Sequence, residues 1–200
     1  MADAFTSTAS AWPRAIVFDL DGTLVDSAPD IRLAINAAFA PLGIPPFDVD
    51  TVKTFIGGGA SIAIGRAAAK AGITLSEADT KATLDRFYPV YAEASGAGRG
   101  LFPGAIELLD HLTARGLPLG LCTNKAQPIT DIALRALGIA PYFKAIVGAR
   151  DDVPKKPDPT MLRTVMDLIG VEPQGALFVG DSGADIGAAK AAGCRSVAIR

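Results

Sequence analysis

Ile16-Val17-Phe18-Asp19-Leu20-Asp21-Gly22-Thr23-Leu24 is an apolar run that ends in two carboxylates flanking Leu20, followed at once by a glycine. An unbroken apolar run suits a strand covered on both faces, and Gly22 marks the turn at its end. Residues i and i+2 of a strand point to the same side, so Asp19 and Asp21 share one small pocket at the strand's C-terminal end. Two such carboxylates repel. A divalent cation relieves the repulsion, and a hard oxygen-seeking ion such as Mg²⁺ brings phosphate with it. The plainer alternative is an N-capping Asp and a turn Asp around Gly22.

Working outward, short apolar runs recur at 15–18, 117–122, 145–147, 176–179 and 196–199, and between the later ones lie helical patterns at 104–115, 128–137, 159–169 and 184–192. Strands alternating with helices of that length predict a doubly wound, Rossmann-like α/β core with a parallel sheet. The rhythm breaks after the first strand. From 27 to 97 there are only helical patterns, at 29–40, 61–71 and 76–94, punctuated by Pro45-Pro46 and Gly57-Gly58-Gly59. That stretch is far too long for one crossover. It predicts an inserted helical cap at 27–97, a core of 13–26 and 98–200, and a loose tail at 1–12.

Composition narrows the function. Half of the 200 residues are hydrophobic and the formal charge is −2, which allows a sizeable core and argues against a nucleic-acid platform. No apolar run approaches the roughly 20 residues of a membrane span, and residues 1–12 lack the features of a secretory signal. Cys122 and Cys194 are far apart, with no Cys-x-x-Cys spacing, which suits a reducing cytoplasm.

In open parallel sheets ligands bind beyond the carboxyl ends of the strands. Those ends carry Asp19 and Asp21, then Thr123-Asn124-Lys125, then Lys155-Lys156-Pro157, then Gly180-Asp181-Ser182 with Asp185 one helical turn on. Chemistry assigns roles. Asp19, rigidly supported by the strand, attacks phosphorus to form an acyl phosphate; Asp21 protonates the leaving oxygen and later takes a proton from water. Thr123 and the N–H groups at Asn124 hold phosphoryl oxygens, and Lys156 offsets the developing charge. Lys155 is the alternative lysine; the stiffness of Pro157 favours Lys156. Asp181 completes the cation's shell, and Asp185 with Ser182 supports it. Thr123, Asp181 and Asp185 also have plain readings as caps or dipole partners.

This set of four ordered motifs resembles the haloacid dehalogenase superfamily over nearly the whole chain after the tail. The resemblance implies that Asp19 is the nucleophile and an Mg²⁺ ligand, that Asp21 adds its backbone carbonyl to the metal, and that Asp181 is the remaining protein ligand. Within the superfamily the chain looks most like the phosphoglycolate phosphatase group, through Asp26-Ser27, Phe102-Pro103-Gly104 and the cap stretch Phe55 to Ser61. Gly57, Gly58 and Gly59 then allow close backbone approach to a small substrate, and Arg66 pairs with a substrate carboxylate.

The expected activity is therefore Mg²⁺-dependent hydrolysis of a small phosphorylated metabolite, 2-phosphoglycolate to glycolate, with sugar phosphates, pyrophosphate or non-catalytic phosphometabolite binding as alternatives. Monomer and homodimer are both open. Relatives of this group usually run on beyond 199 with a segment that packs against the core, so a weaker sheet edge and lower solubility are expected here. Cys194 and Arg200 satisfy Cys-x₅-Arg, but Val197-Ala198-Ile199 reads as strand rather than as a phosphate cradle.

Overall fold

The computed structural model describes residues 12–199. Of the expected tail, residues 1–11 lie outside that range, as does Arg200; Trp12 lies within it, its indole N–H donating to the Gln174 carbonyl at 3.1 Å. Five strands, β1 (Ala15–Phe18), β2 (Leu119–Ala126), β3 (Phe143–Ala149), β4 (Ala176–Gly180) and β5 (Arg195–Ala198), form one sheet in the order β3-β2-β1-β4-β5. Every pairing is parallel. The helices are α1 (Ala28–Phe39), α2 (Val49–Lys53), α3 (Ala60–Lys70), α4 (Glu77–Ser95), α5 (Ala105–Ala114), α6 (Gln127–Ala136), α7 (Thr160–Ile169) and α8 (Gly183–Ala192).

The two-residue period of β1 builds both sides of the core. All four of its residues are buried, as expected of a central parallel strand. Val17 packs on one face with Phe178 and the α7 and α8 residues Leu162, Val165 and Ala188. Ile16 and Phe18 pack on the other with Leu121, Leu109 of α5 and Leu134 of α6. Helices thus cover both faces, and β1, second to neither edge, delivers Asp19 to the middle of the sheet's C-terminal end.

Between β1 and β2 the chain builds α1 to α4 around a third cluster that includes Phe39, Val52, Phe55, Ile64, Phe87 and Tyr91. Ile129 of α6 joins this cluster, so the insert rests on the helix that follows β2. Phe39, Phe47 and Phe55 meet edge to face, with centroids 6.1 and 5.5 Å apart. The irregular stretch before α2 is held by Asn36, which donates to the Phe47 carbonyl at 3.0 Å and accepts its N–H at 2.8 Å. Where the chain leaves and rejoins the sheet, Val25 bridges Leu101 and the Asp26 N–H donates to the Gly100 carbonyl at 2.6 Å.

The sequence pattern misses α2 and shortens β2 and β3. Helix α2 has five residues, too few to display a helical period; it stands on the Asp48 cap, which accepts the Thr51 N–H at 2.7 Å. Strand β2 runs on to Ala126, which pairs with Ala149 of β3 beyond a register break after Cys122, and the polar residues Thr123, Asn124 and Lys125 fall in that break. Among the described residues no helix is long and apolar enough to cross a membrane.

Candidate active site

The turn after β1 is set by its backbone. The Asp19 N–H still donates to Val179 of β4 at 2.9 Å, and the Leu20 carbonyl accepts the N–H groups of Thr23, Leu24 and Val25. Gly22 has φ +85°, and a Cβ there would lie 2.6 Å from Asp181 Cγ. Only glycine fits both demands. Thr23 Oγ1 completes the contact by donating to Asp181 Oδ1 at 3.3 Å.

Lys156 lies at the centre. Its Nζ donates to the Cys122 carbonyl at 2.8 Å and to Asp185 Oδ1 at 2.6 Å, and sits 2.9 Å from Asp19 Oδ1. Burial works against its charge, but Asp19, Cys122 and Asp185 overcome that and hold the ammonium above the ordinary lysine range. Asp185, wholly buried, accepts the Ser182 N–H at 2.9 Å and the Ser182 hydroxyl at 2.6 Å on its other oxygen. One residue thereby caps α8 and fixes the lysine.

Carboxylate oxygens of Asp19, Asp181 and Asp185 lie within 4.8 Å of one another. Asp19 Oδ1 is buried and accepts no aligned hydrogen bond, despite the nearby ammonium. Burial, opposed by Lys156 and aided by Asp185, pushes the Asp19 carboxyl up to about 7. A buried carboxyl oxygen that meets an ammonium out of line, beside a second carboxylate, still has room for a hard cation. The donor set therefore fits a divalent metal. Both oxygens of Asp185 are already committed, which leaves Asp19 and Asp181 as its side-chain donors.

Above these groups a cavity of about 50 Å³ separates the strand ends from the insert; Asp19, Asp21, Thr123, Lys125, Tyr91 and Gly57 are part of its wall. Asn124 joins the two sides. Its amide donates to Gly57 at 3.2 Å and to the Lys156 carbonyl at 3.0 Å, and its oxygen accepts the Lys156 N–H at 2.9 Å.

The haloacid dehalogenase-like hydrolase family model matches residues 16–199. The chain belongs to this family. It groups by sequence with proteins named phosphoglycolate phosphatase: that of Rhodospirillum rubrum is 43% identical over 185 residues, covering 90% of this chain and 77% of the relative, and that of Yersinia pseudotuberculosis is 43% identical, covering 93% and 80%. The crystal structure of a predicted phosphoglycolate phosphatase from Haemophilus somnus 129pt superposes with a TM-score of 0.84 at 36% identity, over 92% of this chain and 84% of that one. CbbY of Rhodobacter sphaeroides, solved in complex with phosphate, superposes with a TM-score of 0.78 at 26% identity, over 92% and 85%.

In this hydrolase the fold brings Asp19, Asp21, Thr123, Lys156, Asp181, Ser182 and Asp185 to one end of the sheet. The Asp21 carboxylate stays out of the acidic cluster and takes Lys125 Nζ at 2.5 Å instead. The Asn124 side chain has no free donor for phosphate, being spent on the Lys156 loop and Gly57. Gly57 and Gly59 border the cavity, whereas Gly58 lies against Ile62. Arg66 does not meet the cavity: its guanidinium donates to the Phe55 and Ile56 carbonyls at 3.1 and 2.9 Å, anchoring the glycine loop. Lys125 is the residue of this site to which the sequence alone assigns no role. Its signal was there, two residues beyond Thr123 and so on the same side of an extended chain.

Proposed function

We propose that this hydrolase is an Mg²⁺-dependent phosphomonoesterase that forms an aspartyl-phosphate on Asp19, with 2-phosphoglycolate as its substrate in the cytoplasm. The observation that carries the reading is Lys156, buried and clamped between Asp185 and Asp19, the latter itself bordering the cavity. A cation fixed there by two acceptors and by the charge of Asp19 is preorganised for the charge on a transferring phosphoryl group.

Asp19 attacks phosphorus, and the ester bond breaks as Asp21 gives its proton to the leaving alkoxide. Water then attacks the acyl phosphate, passing its proton to Asp21 and releasing phosphate and Asp19. The Thr123 hydroxyl and the N–H groups beside it receive phosphoryl oxygens, and Lys156 holds positive charge against them throughout. Asp19 and Asp181, with the Asp21 carbonyl, are the residues that would hold Mg²⁺, which when bound neutralises the phosphate and Asp19 together so that the two anions can meet. Asp185 and Ser182 keep Lys156 in place.

The cavity favours a small leaving group. About 50 Å³ is the room of three or four waters, which suits glycolate better than a sugar. Residues 27–97 act as the cap that excludes water, and 13–26 with 98–200 as the catalytic core.

Asp19→Asn should leave the circular dichroism spectrum intact and lower turnover of 2-phosphoglycolate at least about a thousandfold. Full Mg²⁺-dependent activity in that variant would remove Asp19 as the nucleophile. A panel of phosphorylated metabolites assayed with Mg²⁺ and with EDTA tests the substrate, and faster turnover of a hexose phosphate would overturn the choice of 2-phosphoglycolate.

A further inference from the structure

We propose that Lys125 determines substrate specificity by receiving a carboxylate carried on the leaving group, so that the enzyme selects phosphomonoesters of small 2-hydroxy acids. The inference rests on the phosphomonoesterase reading and adds the group that recognises the rest of the substrate. The Lys125 side chain is 2% exposed and its Nζ lies 2.5 Å from Asp21 Oδ1 and 4.7 Å from the centroid of the Tyr91 ring. Among the described residues bordering the cavity it is the only cation.

Position follows from its partner. Asp21 must touch the leaving oxygen to protonate it, and Lys125 touches Asp21 Oδ1, so no more than the Asp21 carboxyl group separates the ammonium from that oxygen. In a phosphorylated 2-hydroxy acid the carboxylate is separated from the ester oxygen by a single carbon. It therefore falls beside Asp21, within reach of Lys125.

Among the described residues bordering the cavity, a charged substituent finds no other positive side chain. Ile31, Phe87 and the Tyr91 ring form much of the remaining wall, and an anion buried against them without a cation is strongly disfavoured. Arg66, the other positive group expected here from sequence, is spent on loop carbonyls. A lysine ammonium has three donors, and Asp21 Oδ1 occupies one, so a substrate carboxylate can join or replace Asp21 without moving the lysine backbone. The Tyr91 face and the Thr123 contact to the Lys125 N–H, 3.2 Å, keep the chain aimed at the cavity.

The test compares 2-phosphoglycolate with 2-hydroxyethyl phosphate, which replaces the carboxylate by a hydroxymethyl group and keeps an alkoxide leaving group. A site built around a polar partner rejects the analogue that lacks it, so the wild-type enzyme should favour 2-phosphoglycolate by at least about a hundredfold in kcat/KM. Lys125→Met lowers kcat/KM for both esters, since Asp21 loses its partner, but by about thirtyfold more for 2-phosphoglycolate and chiefly through KM. Lys125→Arg, which keeps the charge, should restore most of the preference.

An equal fall for both esters in Lys125→Met would overturn the inference and reduce Lys125 to a support for Asp21. Absence of preference in the wild-type enzyme would overturn it without any variant, and so independently of whether Lys125→Met folds. A wild-type enzyme that hydrolyses neither ester would instead remove the phosphomonoesterase reading beneath it.

Discussion

Lys156 and Asp19 show how one residue can bind stability and chemistry together. The lysine side chain is 1% exposed and faces Asp19 and Asp185, themselves 10% and 0% exposed. Removing one member of a buried ionic group strands the charge of the others, which typically costs about 3–5 kcal/mol. Lys156→Met should therefore lower the unfolding free energy by that order, read as a fall in the urea midpoint, as well as abolish turnover, and an unchanged midpoint would mean that the clamp is open in solution. Gly22 makes the complementary point. Its φ of +85° and the Asp181 carboxylate packed where a Cβ would stand make the motif glycine a geometric requirement of the acidic cluster. Both residues could be singled out from sequence, Lys156 by the proline after it and Gly22 by its place after two acids. The partners of Lys156 could not, because Asp185 is 29 positions away and the pairing depends on how α8 follows β4.

Helix α8 is the element on which the site leans most. Its N-terminal capping box joins Ser182 and Asp185, and the same Asp185 takes Lys156. Ser182→Ala removes the cap hydroxyl and should cost about 1 kcal/mol, the usual worth of an N-cap. Because Asp185 also loses its 2.6 Å donor, kcat should fall severalfold with little change in KM; equal behaviour of kcat in variant and wild type would confine Ser182 to helix capping. Long elements with a clear period, such as α7 and α4, are legible in the sequence to within a residue or so. The end of β2 is not: the apolar run stops at Cys122, yet the strand takes up its pairing with β3 again at Ala126, beyond a register break, and the polar residues between carry no apolar period to announce it.

At the scale of the molecule, the acidic cluster should make stability depend on pH and on an added divalent cation together. Burial carries Asp19 from an ordinary 3.8 to about 7, and Asp181 is shifted the same way by burial and by Asp185. Between those two values the unfolded chain has released a proton that the folded protein still holds. Stability of the metal-free protein therefore falls as pH rises through that window and levels off above it. Thermal melts in EDTA should give a higher Tm at pH 5.5 than at pH 7.5. Saturating Mg²⁺ should raise Tm more at pH 7.5, by about 5–10 °C for a protein of this size with ligand near a hundredfold over Kd, because Asp19 is then already ionised. A Tm gain that is equal at both pH values would separate the metal from Asp19.

The sequence by itself determined the alternation of strands and helices, the long helical insert after β1 and the acids, hydroxyl and lysine at the strand ends, because hydrophobic period and residue type are local properties. Tertiary structure alone decided how the polar groups pair: Asp21 with Lys125, Asp185 with Lys156, Asn124 with the glycine loop, and Arg66 with loop carbonyls rather than with the cavity. Those choices depend on distances between segments separated by as many as 104 positions, and burial turns each of them into an obligation, since a polar group removed from water must find its partner wherever the fold has placed one.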